Sequence, residues 1–410
     1  MSHESDLHNL ALSDNMKPVL LKVKEFIENR IDPVTEQFYA AVNEDDRWTL
    51  SDIQNKIMNT LKAEAKELGL WNFFLPDWNG EGVSNLDYAY LAAEMGRSHL
   101  ASEIFNCAAP DTGNMEVLAK YGSPEHQEKW LKPLLAGEIR SCFAMTEPGL
   151  ASSDAKNIST SAVLDGDEWV INGEKFYISG AGDSRCKIMI CMVKTSPDAN
   201  PYLQQSQILV PMDTAGVEIL GAMHVFGEDD APHGHMHIKL TDVRVPKENI
   251  LLGEGRGFEI SQGRLGPGRI HHCMRALGAA EMALKMLVER GTSREAFGKP
   301  LVKLGGNFDV IASSRLEIDS ARLMVLRAAR AMDVLGNREA RVYVSGIKAL
   351  VPEMACNIID RAIQMHGATG VSQWTPLARM YTQMRTLRLA DGPDEVHRMV
   401  VARAEVAKYK

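Results

Sequence analysis

Hydrophobic residues recur at steps of three and four over the first third of the chain, which is the spacing of one buried helix face. The clearest stripe predicts a helix that buries Val19, Leu20, Val23, Phe26, Ile27 and Ile31. Similar spacing predicts helices over 52–68, 85–95 and 124–135. Proline lacks a backbone N–H group, so Pro33 and Pro110 are expected to interrupt this helical region.

Between about residues 141 and 252 the pattern becomes typical of β-strands. The segment 168–178 predicts a β-hairpin that turns at Asn172-Gly173, because both residues tolerate positive φ angles. Further strands are predicted over 187–194, 207–212 and 235–245.

The helical period returns at about Phe258 and continues to the C-terminus. One stripe from Val310 to Met332 and another from Ile347 to Met365 predict two long helices of an antiparallel bundle. The sequence therefore predicts a mixed, mainly α fold in three parts. These are an N-terminal helical domain over 1–140, a middle β-domain over 141–254 and a C-terminal helical bundle over 255–410.

The overall composition excludes some classes of function. The 410 residues include 45 Lys and Arg against 54 Asp and Glu, a net charge of −9, which argues against a nucleic-acid partner. Six cysteines without a Cys-x-x-Cys pair are typical of a reducing compartment. No secretory signal and no run of 18 apolar residues is found, so we expect a cytoplasmic protein that does not span a membrane.

Two glycine-containing segments superficially resemble nucleotide-binding loops. Gly253, Gly255 and Gly257 come close to a dinucleotide fingerprint, but the third glycine is one residue early and no βαβ pattern follows. A turn between domains is the preferred interpretation. The segment 291–299 lacks the phosphate-loop spacing, and Pro300 replaces the required Ser or Thr.

Histidine and acidic clusters are the remaining candidates for chemistry. His233, His235 and His237 alternate along a predicted strand and so share a face, and the pair at 271–272 adds two more. Surface or hairpin histidines are favoured over a metal site, because convergent carboxylates or thiolates are not evident. In the cluster Asp391, Asp394 and Glu395, a helix N-terminus accounts for the last two. Spacing alone assigns no role to Asp391.

A family resemblance emerges at residues 142–149, Cys-Phe-Ala-Met-Thr-Glu-Pro-Gly, which resemble the flavin-contact signature of the acyl-CoA dehydrogenase family. Further stretches similar to that family follow in order at 175–179, 253–269, 293–299, 364–368 and 390–397. The resemblance covers nearly the whole chain, and it implies the fold of that family: an N-terminal helical domain, a middle β-barrel-like domain and a C-terminal four-helix bundle. Segments 253–275 and 390–397 look like the branch whose dehydrogenase domain is fused to a kinase-like domain in some animals.

The resemblance implies FAD-dependent α,β-dehydrogenation of a fatty acyl-CoA thioester to the trans-2-enoyl-CoA, as in β-oxidation. Asp391 is implied as the base that takes the α-proton, while the flavin accepts the β-hydride. Many relatives carry the longer Glu at this position, and some place the base at the position of Gly268, which has no side chain. Gly392 is implied to bind the thioester oxygen through its N–H, and Arg269 to support the base region.

The resemblance also implies a set of FAD contacts. Phe143, Met145 and Thr146 would line the flavin ring, Tyr177 would stack beside it and Ser179 would lie near its N5 atom. Ser152 or Ser153 would lie near the pyrophosphate. The alternative for Tyr177 and Ser179 is an ordinary alternating strand. Residues expected to reach the FAD of a neighbouring subunit are Arg294, Phe297, Gln364 and Gly367.

The implied partners are an acyl-CoA substrate, an electron-transfer flavoprotein as electron acceptor and further copies of the chain in a dimer of dimers. A nitroalkane-oxidase-like or acyl-CoA-oxidase-like flavoprotein of the same fold is an alternative, since nitroalkane oxidases also use an aspartate base. A non-catalytic, DNA-associated relative is a third hypothesis, and the net charge of −9 argues against it.

Overall fold

The computed structural model describes residues 6–75 and 82–410. Its first helical segment consists of α1 (Lys17–Phe26) and α2 (Asp32–Ala40), joined by a wider π-helical turn (Ile27–Ile31). Pro33, which was predicted to interrupt the helix, lies inside it instead. Proline cannot donate to a carbonyl one turn back, and the wider turn before it accommodates the missing hydrogen bond. The predicted burial is confirmed for Val23, Phe26, Ile27 and Ile31.

The other helices before the sheet confirm the predictions for 52–68, 85–95 and 124–135. They are α3 (Asp52–Glu67), α4 (Asn85–Met95), α5 (Ala101–Ile104), α6 (Asp111–Tyr121), α7 (Pro124–His126) and α8 (Lys132–Ala136). Helix α3 begins at a capping box in which the side chain of Ser51 binds the N–H of Gln54 and the side chain of Gln54 binds back. A second π-helical turn (Gln127–Leu131) again precedes a proline, Pro133.

The middle of the chain forms a curled sheet, seven-stranded in the described residues. Its strands are β1 (Arg140–Ala144), β2 (Ser161–Asp165), β3 (Glu168–Ser179), β4 (Cys186–Lys194), β5 (Gln205–Pro211), β6 (Val217–Met223) and β7 (His235–Pro246). Their order is β1-β4-β2-β3-β7-β6, and β5 pairs with β4. β1 and β2 run parallel to β4, whereas the other pairs are antiparallel. The strand predictions over 187–194, 207–212 and 235–245 are confirmed.

The hairpin predicted to turn at Asn172-Gly173 is wrong, because β3 runs through both residues. The register between β3 and β7 shifts here, so the two residues form a β-bulge. The amide of Asn172 donates to Asp242 Oδ1 at 3.0 Å and accepts from the Asp242 N–H at 2.8 Å. A Cβ at Gly173 would lie 2.5 Å from Thr160 Oγ1, so only glycine fits. The hairpin turn lies instead between β2 and β3.

After the sheet the chain is mainly helical, as predicted. The helices are α9 (Gly257–Ser293), α10 (Asn307–His366), α11 (Leu377–Leu387) and α12 (Asp394–Ala407), with a small hairpin of β8 (Glu295–Ala296) and β9 (Lys299–Pro300). Helix α10 is broken at Gly336, whose φ of 77° and ψ of 168° are not helical. Arg361 pairs with Glu317 at 2.9 Å, so the second half folds back on the first. These halves are the two long helices that the sequence predicts.

The chain divides into two compact units. The first consists of Met1–Pro33, Phe73–Glu103 and Gly266–Lys410, and it contains α4 and α10 to α12. The second consists of Val34–Asn72 and Ile104–Leu265, and it contains the sheet. The three-domain division at residues 140 and 254 stays a prediction.

One helix of the described chain, Asn307–Val371 with its final turn, is long and apolar enough to cross a membrane by length and composition alone. Of its most apolar window, 67% is buried inside the protein. Packing within the first unit therefore explains the apolar character of this helix, as for the core helix of a folded domain.

Candidate active site

Asp391 lies in the short loop between α11 and α12, which adopts an unusual backbone conformation. The φ angle is +54° at Asp391 and +99° at Gly392, in the left-handed region that a residue with a side chain rarely adopts. Helix α12 begins at Asp394, whose carboxylate accepts a hydrogen bond of 2.7 Å from Arg388. Asp394 thus lies in the first turn of a helix, as predicted, and Asp391 precedes that helix.

Three side chains from three helices bind the main-chain oxygens of this loop. Arg269 of α9 donates through Nε to the Asp391 oxygen at 2.8 Å, and His397 of α12 faces the same oxygen through Nε2 at 3.2 Å. Lys348 of α10 donates to the Gly392 oxygen at 3.3 Å and also to the last carbonyl of α11. Because these donors bind the backbone, they hold the loop in its left-handed conformation.

Arg269, His397 and Lys348 together form a clamp on this loop, and burial is the main cause of their pKa shifts. Burial lowers the pKa of Lys348 and that of Arg269, and the charge of Asp391 partly opposes both shifts. Burial, followed by the charges of Arg269 and Lys348, lowers the pKa of His397 to about 4. His397 is therefore neutral at about pH 7, and since its Nε2 faces a carbonyl oxygen, the ring carries its hydrogen there.

The Asp391 carboxylate lies against a position of α9 that has no side chain. A Cβ at Gly268 would lie 3.3 Å from Asp391 Oδ2, and Nε2 of His272 is 3.5 Å from the same oxygen. Gly268 and His272 are four residues apart, so they share one helix face. The side chains of Asp391 and His272 are each 19% exposed. The space beside this half-buried carboxylate would let a ligand come within hydrogen-bond reach of it, as general acid–base chemistry requires.

Gly268→Ala should impair the chemistry without impairing the fold. The new methyl group would lie 3.3 Å from Asp391 Oδ2, so the carboxylate must shift by a few tenths of an ångström. Because near-attack geometry is sensitive to displacement, we expect flavin reduction to slow by about 10²-fold at most. Alanine favours a helix over glycine by about 1 kcal/mol, so thermal unfolding should not occur earlier. Rapid-mixing kinetics and a melting curve measure the two effects.

Gly346→Ala on α10 is the matched control for Gly268→Ala. A Cβ at Gly346 would have one neighbour, Met324 Cε, at 4.0 Å. This control should keep the wild-type rate. A Gly268→Ala rate equal to that of the control would show that the carboxylate does not depend on the space at Gly268.

Gly392 and Arg269 are the two residues predicted to act on the substrate beside the base. Among the residues that the structure describes, none accepts a hydrogen bond from the N–H of Gly392, so this donor is available to a ligand. Arg269 directs its Nε to the Asp391 main chain instead. The structure therefore places Arg269 in contact with the loop that carries Asp391.

In the second unit, the residues predicted to line the flavin ring, Phe143, Met145 and Thr146, lie at and just after the end of β1 and are half-buried. Lys175 of β3 holds the segment in place. Its Nζ donates to the Met145 oxygen at 3.0 Å and to the Glu147 carboxylate at 2.8 Å. Lys175 is 0% exposed and Glu147 is 2% exposed, so this ion pair is shielded from water.

Strand β3 bulges a second time and brings Tyr177 beside that segment. The register with β7 shifts between Lys175 and Ile178, and Tyr177 takes a φ angle of +55°. The N–H of Phe176 donates to the Thr146 oxygen at 3.1 Å. Tyr177 is 44% exposed and meets the Phe176 ring edge-on at 4.9 Å. Regular alternation along a strand does not account for this exposed ring.

Of the three serines named in the prediction, Ser152 and Ser179 make side-chain hydrogen bonds within the protein. The Oγ of Ser152 accepts from the N–H of Glu147 at 3.0 Å and closes the loop, whereas Ser153 is exposed. The Oγ of Ser179 lies 2.8 Å from Nδ1 of His235. Burial, followed by the charge of His233, lowers the pKa of His235 to about 4, so its ring is neutral at about pH 7.

The residues predicted to reach a neighbouring subunit lie where α9 and α10 end. A Cβ at Gly291 near the end of α9 would lie 3.5 Å from Sδ of Met365 near the end of α10. The tip of the β8–β9 hairpin presents Phe297, which is 94% exposed at a φ angle of +51°. All four predicted residues are exposed: Arg294, Phe297, Gln364 and Gly367.

Sequence reasoning missed a buried cation beside Phe143. The guanidinium of Arg264 lies 4.0 Å from the centroid of the Phe143 ring, and its Nε donates to Asn114 at 3.3 Å. Burial raises the pKa of Glu116 to about 8, although the charges of Arg264 and Lys120 oppose the shift. No local signal reveals this group, because its members lie far apart in the sequence.

The other sequence candidates have structural explanations. His235 and His237 alternate along β7 and are half-buried, whereas His233 lies in the turn before that strand. The expected surface position of His271 is wrong. His271 is buried and stacks edge-on against Tyr88 at 4.8 Å.

Within residues 6–75 and 82–410 no group of three or more His, Cys, Asp or Glu could hold a metal ion. All six cysteines are buried thiols outside any disulfide, and the segment with Gly253 and Gly255 is a turn before α9.

Comparison with protein-family models gives three matches that follow one another along the chain. The acyl-CoA dehydrogenase N-terminal domain matches residues 14–138, the middle domain matches 142–241 and the C-terminal domain matches 255–406. Together they span both sets of predicted site residues.

Individual proteins agree with these matches. The chain is 55% identical over 355 residues to the protein named "Probable acyl-CoA dehydrogenase FadE2" of Mycobacterium tuberculosis, over 86% of each protein. It is 50% identical over 415 residues to Acyl-CoA dehydrogenase family member 10 of Mus musculus, covering 99% of this chain but 38% of that protein. The chain thus spans less than half the length of that mouse relative. A solved candidate acyl-CoA dehydrogenase from Mycobacterium abscessus aligns with a TM-score of 0.93 and 48% identity, over 98% of this chain and 100% of the other.

Proposed function

The chain belongs to the acyl-CoA dehydrogenase family of oxidoreductases, and we propose that it oxidises a fatty acyl-CoA thioester to the trans-2-enoyl-CoA with Asp391 as the base. The observation that carries this proposal is the half-buried Asp391 carboxylate, 3.3 Å from the position that a Cβ at Gly268 would take. A side chain larger than glycine at position 268 would crowd this carboxylate. The absence of a side chain at Gly268 therefore suits a base at Asp391.

FAD is the cofactor, and the residues of the second unit fit a flat aromatic ring system. The half-buried segment of Phe143, Met145 and Thr146 accepts a hydrogen bond from the N–H of Phe176, next to the exposed Tyr177. Lys175 fixes the backbone of that segment through the Met145 oxygen. When bound, FAD accepts the hydride that leaves the β-carbon of the substrate.

The residues of the Asp391 loop would carry the proton chemistry. The Asp391 carboxylate would take the α-proton of the thioester, which is weakly acidic and needs a base placed beside it. The N–H of Gly392 would donate to the thioester oxygen and so stabilise negative charge as the proton leaves. Arg269, His397 and Lys348 would keep both groups in place through the loop carbonyls.

We also propose that copies of the chain complete each other's FAD sites in a dimer of dimers. A phenylalanine that is 94% exposed at a hairpin tip offers a large aromatic surface that another subunit could bury. Arg294 at the base of the same hairpin would present charged donors to the FAD diphosphate.

Phe297→Asp should therefore weaken assembly and lower FAD retention together. A buried, unpaired carboxylate would oppose association, so the FAD content after gel filtration should fall and should recover as protein concentration rises. Tyr409→Asp is the control, because Tyr409 is also exposed, at 83%. Unchanged assembly and FAD content in Phe297→Asp would contradict a shared site.

Electron-transfer flavoprotein is the proposed electron acceptor, and β-oxidation in the cytoplasm is the proposed setting. Six buried cysteines outside any disulfide are compatible with a reducing compartment. Turnover with acyl-CoA should require the flavoprotein and should be slow with oxygen alone. Rapid reoxidation by oxygen would favour an oxidase instead.

The visible spectrum of the purified holoenzyme, recorded anaerobically with acyl-CoA thioesters of several chain lengths, tests the proposed reaction. Bleaching of the flavin by some of them supports it and reveals the preferred chain length. A spectrum that no acyl-CoA changes, but that a nitroalkane bleaches, would instead identify a nitroalkane oxidase with Asp391 as its base.

A further inference from the structure

His272 is a second titratable side chain at the Asp391 carboxylate, and the proposed reaction does not yet assign it a role. Its Nε2 lies 3.5 Å from Asp391 Oδ2. We infer that His272 is a positioning residue that donates a hydrogen bond from Nε2 to this carboxylate and keeps it in its ionised, proton-accepting form. This inference rests on the proposed function of Asp391.

The second nitrogen of the ring decides which atom carries the hydrogen. Nδ1 of His272 lies 3.2 Å from Nη2 of Arg275, one turn further along α9. A guanidinium group can only donate, so Nδ1 must accept, and a hydrogen on Nδ1 would face another donor. The ring hydrogen is therefore on Nε2, the nitrogen that faces Asp391.

This arrangement makes His272 a donor rather than a proton relay. A relay would need Nε2 to accept the proton from Asp391 while a hydrogen left Nδ1, but Nδ1 has none to give. Protonating the ring at both nitrogens would place a second cation beside Arg275. His272 therefore acts through Asp391: the α-proton stays on the Asp391 carboxyl, and the histidine orients the group.

The distance of 3.5 Å is longer than that of a good hydrogen bond. Catalytic hydrogen bonds are often long without substrate and tighten once the substrate is bound. Gly268 gives the carboxylate room for this adjustment, because it presents no side chain on the same helix face.

Other charged or titratable groups also act on this pair, and a pH test must consider them. Those that act on it directly come from α9, α10 and α12, and they are Arg269, His271, Cys273, Arg275, Lys348 and His397. Asp394 acts on Lys348 in turn. None of them changes when His272 alone is replaced, so a shift in the pH profile between variants reports on the Nε2 donor.

The test compares His272→Leu, which removes the donor, with His272→Gln, whose amide can still donate. The measured quantity is the rate of flavin reduction by acyl-CoA as a function of pH in the holoenzyme. Donation to the ionised form favours it, so His272→Leu should move the acidic limb of the profile upward by roughly one pH unit. The rate below that limb should fall about tenfold. In His272→Gln the acidic limb should return most of the way to its wild-type position.

His99→Leu controls for the loss of a histidine, since His99 is exposed and contacts Gln383 instead. Melting curves and flavin spectra verify that the variants are folded and contain FAD. An acidic limb at the same pH in wild type, His272→Leu and His272→Gln would overturn the inference, even if all three were slower or faster overall. Failure of acyl-CoA to reduce the wild-type flavin would overturn the proposed function instead, so the two failures are distinguishable.

Discussion

Asp391→Asn is expected to keep its FAD but to lose about 10²- to 10⁴-fold in the rate at which acyl-CoA reduces the flavin. An amide has nearly the same shape as a carboxylate but cannot accept the α-proton. The hydrogen bonds from Arg269 and His397 go to the main-chain oxygen of residue 391, so the loop should keep its conformation. Anaerobic rapid mixing at the flavin absorbance measures the rate directly.

Glu395→Gln is the control for Asp391→Asn, since Glu395 is an exposed carboxylate in the first turn of the following helix. Acyl-CoA should reduce the flavin of this control at the wild-type rate. If the flavin of Asp391→Asn bleached as fast as that of this control, another residue would have to be the base. The role of the loop would then need a different explanation.

Lys175→Met is expected to destabilise the second unit by about 3–5 kcal/mol, the usual cost of removing one partner of a buried ion pair. Nζ of Lys175 donates to the Glu147 carboxylate and to the oxygens of Met145 and Met192, at 2.8, 3.0 and 2.7 Å. Methionine fills the volume but leaves these acceptors without their donor. Denaturant unfolding measures the loss, and FAD affinity should fall with it because Met145 belongs to the flavin-lining segment.

The size of this loss should depend on pH through Glu147. Burial alone would raise the pKa of Glu147, but the charge of Lys175 and hydrogen bonds from Lys175, Ser159 and Thr160 outweigh it and hold the pKa at about 2. A folded-state pKa below the ordinary 4.5 gives stability that is present above about pH 4.5 and is lost as the pH falls toward 2. The difference between wild type and Lys175→Met should therefore shrink over that range.

Lys187→Met on β4, the next strand along the chain, is the matched control, because Lys187 is exposed and its Nζ donates to the nearby Ser184 oxygen. Its unfolding free energy should stay within about 0.5 kcal/mol of wild type. The double variant Glu147→Gln with Lys175→Met should recover part of the loss, since it leaves no buried charge. Equal stability of Lys175→Met and the control would contradict the role of the buried pair.

Periodicity predicts most of the elements, because burial of one face is a local property of the sequence. The stripe that ends at Ile31 and the paired stripes of α10 are confirmed. The errors arise where tertiary structure overrides local chemistry. Asn172-Gly173 has the composition of a turn, but Asp242 on β7 binds Asn172 and converts the pair into a bulge. Pro33 ends no helix because a π-helical turn precedes it.

The candidate site shows the same contrast between what the sequence predicts and what only tertiary packing decides. The family resemblance predicts Asp391 as the base and Gly268 as a position without one, and both assignments stay predictions. The clamp could not be predicted, since Arg269, Lys348 and His397 lie on three helices and meet only through packing. His272 is instructive, because its spacing of four from Gly268 is visible in the sequence. Its relation to Asp391 depends on the loop conformation, which no local pattern encodes.

The most direct test of the account is flavin reduction in the wild-type holoenzyme by an acyl-CoA and by the same thioester deuterated at the α-carbon, with the product identified by mass spectrometry. If Asp391 removes the α-proton, reduction should be several-fold slower with the deuterated thioester. One trans-2-enoyl-CoA should form for each flavin bleached. Bleaching without enoyl-CoA, or no bleaching by any acyl-CoA thioester, would contradict α,β-dehydrogenation as the function of this chain.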